Sequence, residues 1–132
     1  MKSPCYCSTL RAAARKATAL YDMALAPVGV NVAQYGLLRR IERRGTVSLT
    51  ELGRISELDR STVGRNARVL KRLGLVRLAA ADDQREAAVS LTDEGVETLA
   101  RATPMWEAAQ RRVEEALGPN GAETLHALAG SL

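Results

Sequence analysis

The chain has no phenylalanine, and one tryptophan and three tyrosines bring its aromatic share to only 3% of 132 residues. Leucine, valine and alanine must therefore fill the core, and an alanine-rich sequence of this kind leans towards helix. No apolar run approaches the roughly 18 residues that a membrane span requires. Lys2 is not followed by the apolar stretch of a secretory signal, so the chain is expected in the cytoplasm, with no membrane partner and with its thiols reduced. His126 is the only histidine, and Cys5 and Cys7 are the only cysteines, which excludes zinc-finger spacing and leaves the histidine far from either thiol in sequence. A Walker phosphate loop and a dinucleotide-binding glycine pattern are also absent. Enzyme chemistry is not expected, and no catalytic residue or required cofactor is assigned. The length suits one domain and is short for an enzyme with a separate substrate domain. Charged residues at 26% and hydrophobic residues at 46% are the proportions of a folded chain rather than a disordered one.

What the sequence does have is positive charge gathered in one region. The formal net charge is +4, but placement says more than the total. Arg39, Arg40, Arg43 and Arg44 cluster in one segment, and Arg54, Arg60, Arg65, Arg68, Lys71, Arg72, Arg77 and Arg85 follow in the next. A local basic surface attracts phosphates. The plainer account of the same arginines is a set of solvated helix faces.

Periodicity supplies the elements. Ser8 is positioned to cap a first helix whose stripe runs through Leu10, Ala13, Ala17, Leu20 and Leu25, and Pro27 and Gly29 end it. Asn31 with Gln34 has the form of a capping box opening a second helix that Gly45 closes, and Ser48 with Glu51 has the same form before a short third helix. Gly53 in that helix lets a neighbouring helix come close. After a tight turn, Asp59 caps a fourth helix that runs to Gly74. Leu75–Leu78 and Ala88–Leu91 are expected to be strands joined by a polar loop over 81–86. Thr92 caps a long final helix, which Pro104 should kink or split, and the run from Gly118 to Gly121 should separate a last short helix over Ala122–Ala129. A short helix, a turn, a second helix and a hairpin make a winged helix-turn-helix. The fold class is therefore mainly α with a small β-hairpin wing. One compact chain is expected, with an N-terminal arm over 1–30, a DNA-binding lobe over 31–91 and C-terminal helices over 92–132.

On a helical wheel Val63, Ala67 and Leu70 fall on one side of the fourth helix, and Ser61, Arg65, Arg68 and Arg72 on the other, with Thr62 on the flank. Hydroxyls and guanidiniums on one exposed face suit the major groove, where arginine bonds guanine bidentately and serine or threonine reaches bases or phosphates. Free amides at the helix start add donors for a phosphate. The candidate DNA-contacting set is Ser48, Arg60, Ser61, Thr62, Arg65, Asn66, Arg68 and Arg72.

Asp59-Arg60-Ser61-Thr62-Val63, the stretch from Leu70 to Arg77, and DDQREAAVSLTDEG from Asp82 to Gly95 together resemble the multiple-antibiotic-resistance (MarR) family of regulators. That family carries an Asp-x-Arg wing followed by Leu-Thr-x-x-Gly, and Asp83, Arg85, Leu91, Thr92 and Gly95 fit the pattern. Gln34 to Leu38 resembles its aromatic-containing second-helix segment. The sequence departs from the pattern at Ala79-Ala80-Ala81, where further basic residues are common. The resemblance implies a triangular homodimer with intertwined terminal helices. It implies that Ser61, Thr62 and Arg65 read the major groove of a near-palindromic operator, and that Arg85, oriented by Asp83, enters the minor groove, where negative potential is enhanced.

Three further readings concern assembly and control. The apolar positions Met105, Trp106, Val113, Leu117, Leu125 and Leu128 exceed what a small middle lobe can cover, which favours a homodimer. Cys5 and Cys7 stand beside a helix start near Lys2, Arg11 and Arg15, an environment that lowers a thiol pKa. Such a pair can close a disulfide or hold a soft ion such as trivalent arsenic or antimony, zinc or copper. The expected activity is thus a repressor released from its operator by thiol oxidation or a soft metalloid. One alternative is release by a small aromatic or phenolic inducer in a cleft lined by Tyr21 and Tyr35, residues that core packing explains equally well. Another is a winged-helix protein-interaction module that does not bind DNA, which the arginines at 65, 68 and 72 oppose.

Overall fold

The computed structural model describes residues 2–80 and 87–132. Helix α1 (Tyr6–Leu25) has Cys5 rather than Ser8 as the flanking residue at its start. The Thr9 amide (3.1 Å) and hydroxyl (3.3 Å) both donate to the Cys5 carbonyl, so the first turn closes there without a side-chain cap. A 3₁₀ turn (Ala26–Val28) ends at Gly29, whose φ of 79° needs the freedom of glycine.

Helix α2 (Val32–Arg44) opens on the expected capping box. The Gln34 amide donates to Asn31 Oδ1 at 2.8 Å, and the Asn31 amide donates to Gln34 Oε1 at 2.9 Å. Asp22 of α1 accepts the Val32 amide at 2.8 Å, so a side chain of the arm satisfies an orphan donor of the lobe.

A three-residue strand that periodicity did not announce, β1 (Thr46–Ser48), precedes α3 (Leu49–Ser56). Ser48 Oγ accepts the Glu51 amide at 3.1 Å, but Glu51 does not return the bond, because its carboxylate is taken by arginines. Helix α4 (Arg60–Arg72) follows. Strands β2 (Val76–Ala80) and β3 (Ala87–Leu91) then complete an antiparallel sheet of order β1–β3–β2. Val47 lies opposite Val89, and Leu78 lies opposite Val89 from the other side. Ala79 and Ala80 extend β2 beyond the expected end at Leu78, because they find partners in Ala88 and Ala87 of β3.

Helix α5 (Asp93–Ser131) is anchored at its start. Thr92 Oγ1 accepts the Gly95 amide at 3.0 Å, and its hydroxyl donates to the Gly74 carbonyl at 2.6 Å. The Thr92 amide donates to the Leu75 carbonyl at 3.1 Å. Gly95 lies so close that a Cβ would stand 2.0 Å from the Leu75 oxygen. These contacts give the Leu-Thr-x-x-Gly pattern its physical meaning: it seats the last helix on the turn that starts the wing.

Pro104 does not divide α5. Pro104 is exposed, and so is Ala100, whose carbonyl loses its partner, so the helix passes through at little cost. The second expected break is present, at Gly118, with φ 71° and ψ 168°, a region open essentially to glycine alone.

One core joins all the elements. Leu38, Ile41, Leu52, Val63, Leu70 and Val89 are fully buried within it, and each contributes roughly 1.5–3 kcal/mol relative to exposure. Leu25 is the only buried residue of α1.

Candidate nucleic-acid interface

The turn between α3 and α4 sets the pose of α4. Leu58 donates its amide to the Gly53 carbonyl at 2.9 Å, and Glu57 takes a left-handed conformation at φ 54°. A Cβ on Gly53 would meet the Leu58 carbonyl at 3.0 Å and Val63 Cγ1 at 3.3 Å, so glycine lets the two helices close together.

Within α4 the two faces separate as the wheel requires. Val63, Gly64, Ala67 and Leu70 are buried, while Arg60, Ser61, Arg65, Arg68 and Arg72 are exposed and Thr62 and Asn66 are half-buried. The exposed head of the helix is ordered by side-chain bonds. The Ser61 hydroxyl donates to Asp59 Oδ2 at 2.6 Å, and Arg65 Nη2 donates to Thr62 Oγ1 at 3.3 Å. Asp59 precedes α4 as expected, yet its side chain makes no capping hydrogen bond to the first turn. The hydroxyls of Ser61 and then Thr62 hold its carboxyl at about 2, well below the ordinary aspartate value.

Ser48 lies at the start of α3, half-buried, with its oxygen engaged in capping. Arg77 projects exposed from β2. Asp83 and Arg85, the expected wing contacts, lie outside the described residues.

A second cluster was not anticipated. Glu51 accepts from Arg54 Nε at 2.8 Å and from Arg44 Nη1 at 3.2 Å, and Arg54 is the main cause of its carboxyl falling to about 2. The spacing of Glu51 and Arg54, three apart on one helix, is the signal that would have revealed it. All three groups are substantially exposed, so each pair adds little stability, but together they hold two arginines in place.

Behind the lobe, aromatic side chains join α1, α2 and α5. Trp106 stacks on Tyr35 with ring centroids 5.7 Å apart and on Tyr21 at 6.5 Å, and the Arg39 guanidinium lies 4.6 Å from the Trp106 ring centre. Tyr35 is buried and its hydroxyl donates to Thr103 Oγ1 at 3.2 Å. Tyr21 donates to Gln110 Oε1, and burial, with Glu114 nearby, pushes its phenol pKa upward. Tyr35 borders a hollow of 340 Å³ with Arg39, Arg40, Arg43 and Trp106, whereas Tyr21, the other tyrosine assigned to a cleft, does not line it.

Cys5 and Cys7 are both exposed at the start of α1 and form no disulfide. The Ser8 amide and hydroxyl, followed by the Cys7 amide, lower the Cys5 thiol pKa. Among the described residues they belong to no group of three or more histidine, cysteine or acidic side chains placed to hold a metal. Farther along the arm, α1 and α5 frame an apolar groove of 640 Å³ whose walls include Leu10, Ala17, Leu20, Val113, Leu117 and Leu125. No helix among the described residues is long and apolar enough to cross a membrane.

The sequence profile of the MarR family matches residues 28–86. Over 125 residues the chain is 30% identical to YhbI of Bacillus subtilis, an uncharacterised HTH-type transcriptional regulator, covering 94% of this chain and 81% of that protein. The fold is similar to that of the M. tuberculosis transcriptional regulator MosR solved in complex with DNA, with a TM-score of 0.86, 33% identity, and 97% and 96% of the two chains covered. A mutant MarR from E. coli complexed with operator DNA shares the fold at a TM-score of 0.83, with 19% identity and 93% and 89% coverage.

Proposed function

The chain belongs to the MarR family, and on that premise we propose that it is a repressor that binds a near-palindromic operator as a homodimer and leaves it when an inducer acts on the arm. The observation that carries this reading is the two-sided α4: an apolar face locked into the core and, opposite, Ser61, Arg65, Arg68 and Arg72 free to enter a groove. In this reading Arg65 bonds guanine, Ser61 and Thr62 meet neighbouring bases, and Arg60, Asn66, Arg68, Arg72 and Ser48 meet phosphates. The minor-groove contact is assigned to Arg85, with Asp83 to orient it, on the family resemblance alone. The DNA-bound structures of MosR and MarR support the reading by likeness of fold.

The groove between α1 and α5 is the surface that a second copy covers, bringing the two α4 helices to successive major grooves. The inducer acts at Cys5 and Cys7. An oxidant such as diamide or peroxide removes two electrons and two protons from the pair to form a disulfide, or a trivalent arsenic or antimony centre takes both sulfurs as ligands. Either change constrains the start of α1, and Asp22 carries the displacement to α2. A second reading is favoured by the hollow beside Tyr35, where Arg39 and Trp106 offer a cation and an aromatic wall to a small aromatic or phenolic anion.

Selection from random duplexes should return a palindrome with half-sites about 34–36 Å apart, and binding should weaken steeply with salt. Failure to enrich any sequence would refute the DNA-binding reading. The variant Cys5→Ser, Cys7→Ser should keep operator affinity and lose its response to peroxide, diamide, arsenite and antimonite. If it still releases DNA to the agents that act on the wild type, the thiol switch is wrong and the cleft takes its place.

A further inference from the structure

Asp59 stands at the head of α4 but does not cap it, and what it does instead fixes the chemical character of that head. A carboxylate has no proton to give, so in the 2.6 Å bond between Ser61 Oγ and Asp59 Oδ2 the serine is necessarily the donor. Ser61 has one proton, and it is committed to Asp59. Its lone pairs, with the remaining acceptor sites of Asp59, are what the exposed helix head presents outward. Thr62 is occupied too, since its oxygen accepts from Arg65 at 3.3 Å.

The side chains of Asp59, Ser61 and Thr62 at the head of α4 therefore offer acceptors beside the donor guanidinium of Arg65. In the major groove only the exocyclic amino groups of cytosine and adenine donate, whereas the guanine edge and thymine O4 accept. We propose that Asp59 is a specificity-determining residue, which by holding the Ser61 proton makes Ser61 an acceptor and selects an amino-bearing base, cytosine or adenine, next to the base read by Arg65. The negative charge of Asp59 also repels phosphates, so the same residue lowers affinity for DNA that lacks the favoured base.

This inference rests on the reading of α4 as the element that enters the major groove, and the test separates the two. Operator duplexes substituted singly at each half-site position are titrated by anisotropy against wild type, Arg65→Ala, Ser61→Ala, Asp59→Ala and the double variant Asp59→Ala, Ser61→Ala. Ser61→Ala leaves the helix boundary intact and locates the position that Ser61 reads. There the wild type should prefer cytosine or adenine over guanine and thymine by about tenfold, the size of a single base contact. Asp59→Ala should lose that preference to within about twofold and gain affinity for random DNA, while the preference due to Arg65 survives. The double variant should lose no more at that position than either single one, because the two side chains act as one unit. A full preference retained in Asp59→Ala, or a preference for guanine or thymine at the Ser61 position, overturns the role of Asp59 and leaves the reading helix standing. Wild-type binding with no base preference, or preferences unchanged in Arg65→Ala, overturns both.

Discussion

Replacing Gly95 by alanine should destabilise the protein by about 1–5 kcal/mol, although in an unobstructed helix the same change is worth up to about 1 kcal/mol of added stability. The Cβ would arrive 2.0 Å from the Leu75 carbonyl oxygen and 3.0 Å from its carbon. Non-bonded atoms do not approach so closely, so the start of α5 must back away from the α4–β2 turn by at least about 1 Å. That retreat breaks the bond from the Thr92 amide to Leu75, now 3.1 Å, and the bond from the Thr92 hydroxyl to Gly74, now 2.6 Å. Overpacking costs about 1–3 kcal/mol, the two hydrogen bonds about 0.5–1.5 kcal/mol each, and the propensity gain offsets about 1 kcal/mol. With a urea slope of about 2 kcal/mol/M, the midpoint of unfolding should fall by about 0.5–2.5 M. Far-UV circular dichroism at one fixed protein concentration reads it. A midpoint that stays or rises would show that α5 does not rest on Leu75, and the account of the Leu-Thr-x-x-Gly pattern would fall with it.

Arg65→Ala should weaken operator binding by about 1–3 kcal/mol and flatten the base preference, whereas Arg72→Ala should weaken all duplexes alike and reduce the salt slope by about 1. Equal binding of both variants and wild type in anisotropy would contradict the assignment of faces on α4. Light scattering should give twice the 14.2 kDa chain mass, and Leu117→Arg in the apolar groove should shift the protein towards monomer; a wild-type monomer at micromolar concentration would refute the dimer. The carboxyls of Glu51 and Asp59 are held at about 2 against ordinary values of 4.5 and 3.8. Their contribution is complete above the ordinary values and lost as pH falls through about 2, so stability should rise with pH across that window. Glu51→Gln should flatten the rise, and an unaltered slope in urea titrations would show that Arg44 and Arg54 do not hold the carboxylate.

Helices and caps were largely legible in the sequence because they depend on neighbours a few positions apart. Asn31 with Gln34, Thr92 with Gly95, and the split of α4 into Val63, Ala67, Leu70 and the arginines are all local patterns. Features that depend on distant partners were not. Strand β1 has three residues and exists because Val47 finds Val89, far along the chain. The aromatic cluster needs Trp106 to cross from α5 onto Tyr35, and no spacing announces that meeting. Pro104 does not make its expected kink because exposure lets the proline pass, while the break expected over the run from Gly118 to Gly121 falls at Gly118, whose backbone angles leave the helix. Ser8 lost the cap because the Cys5 carbonyl gathers the first turn one residue outside Tyr6.

The bareness of α1 has a thermodynamic consequence. A helix of 20 residues with Leu25 as its only buried side chain gains little core burial from its own chain, and tertiary packing is where most helical stability in proteins comes from. In the proposed dimer, covering Leu10, Ala17 and Leu20 is at once association and the ordering of the arm, so folding and binding to the second copy share one free energy. The melting temperature should then climb with the logarithm of protein concentration, and dilution alone should speed hydrogen exchange along α1 before it reaches the amides around Leu38 and Leu70.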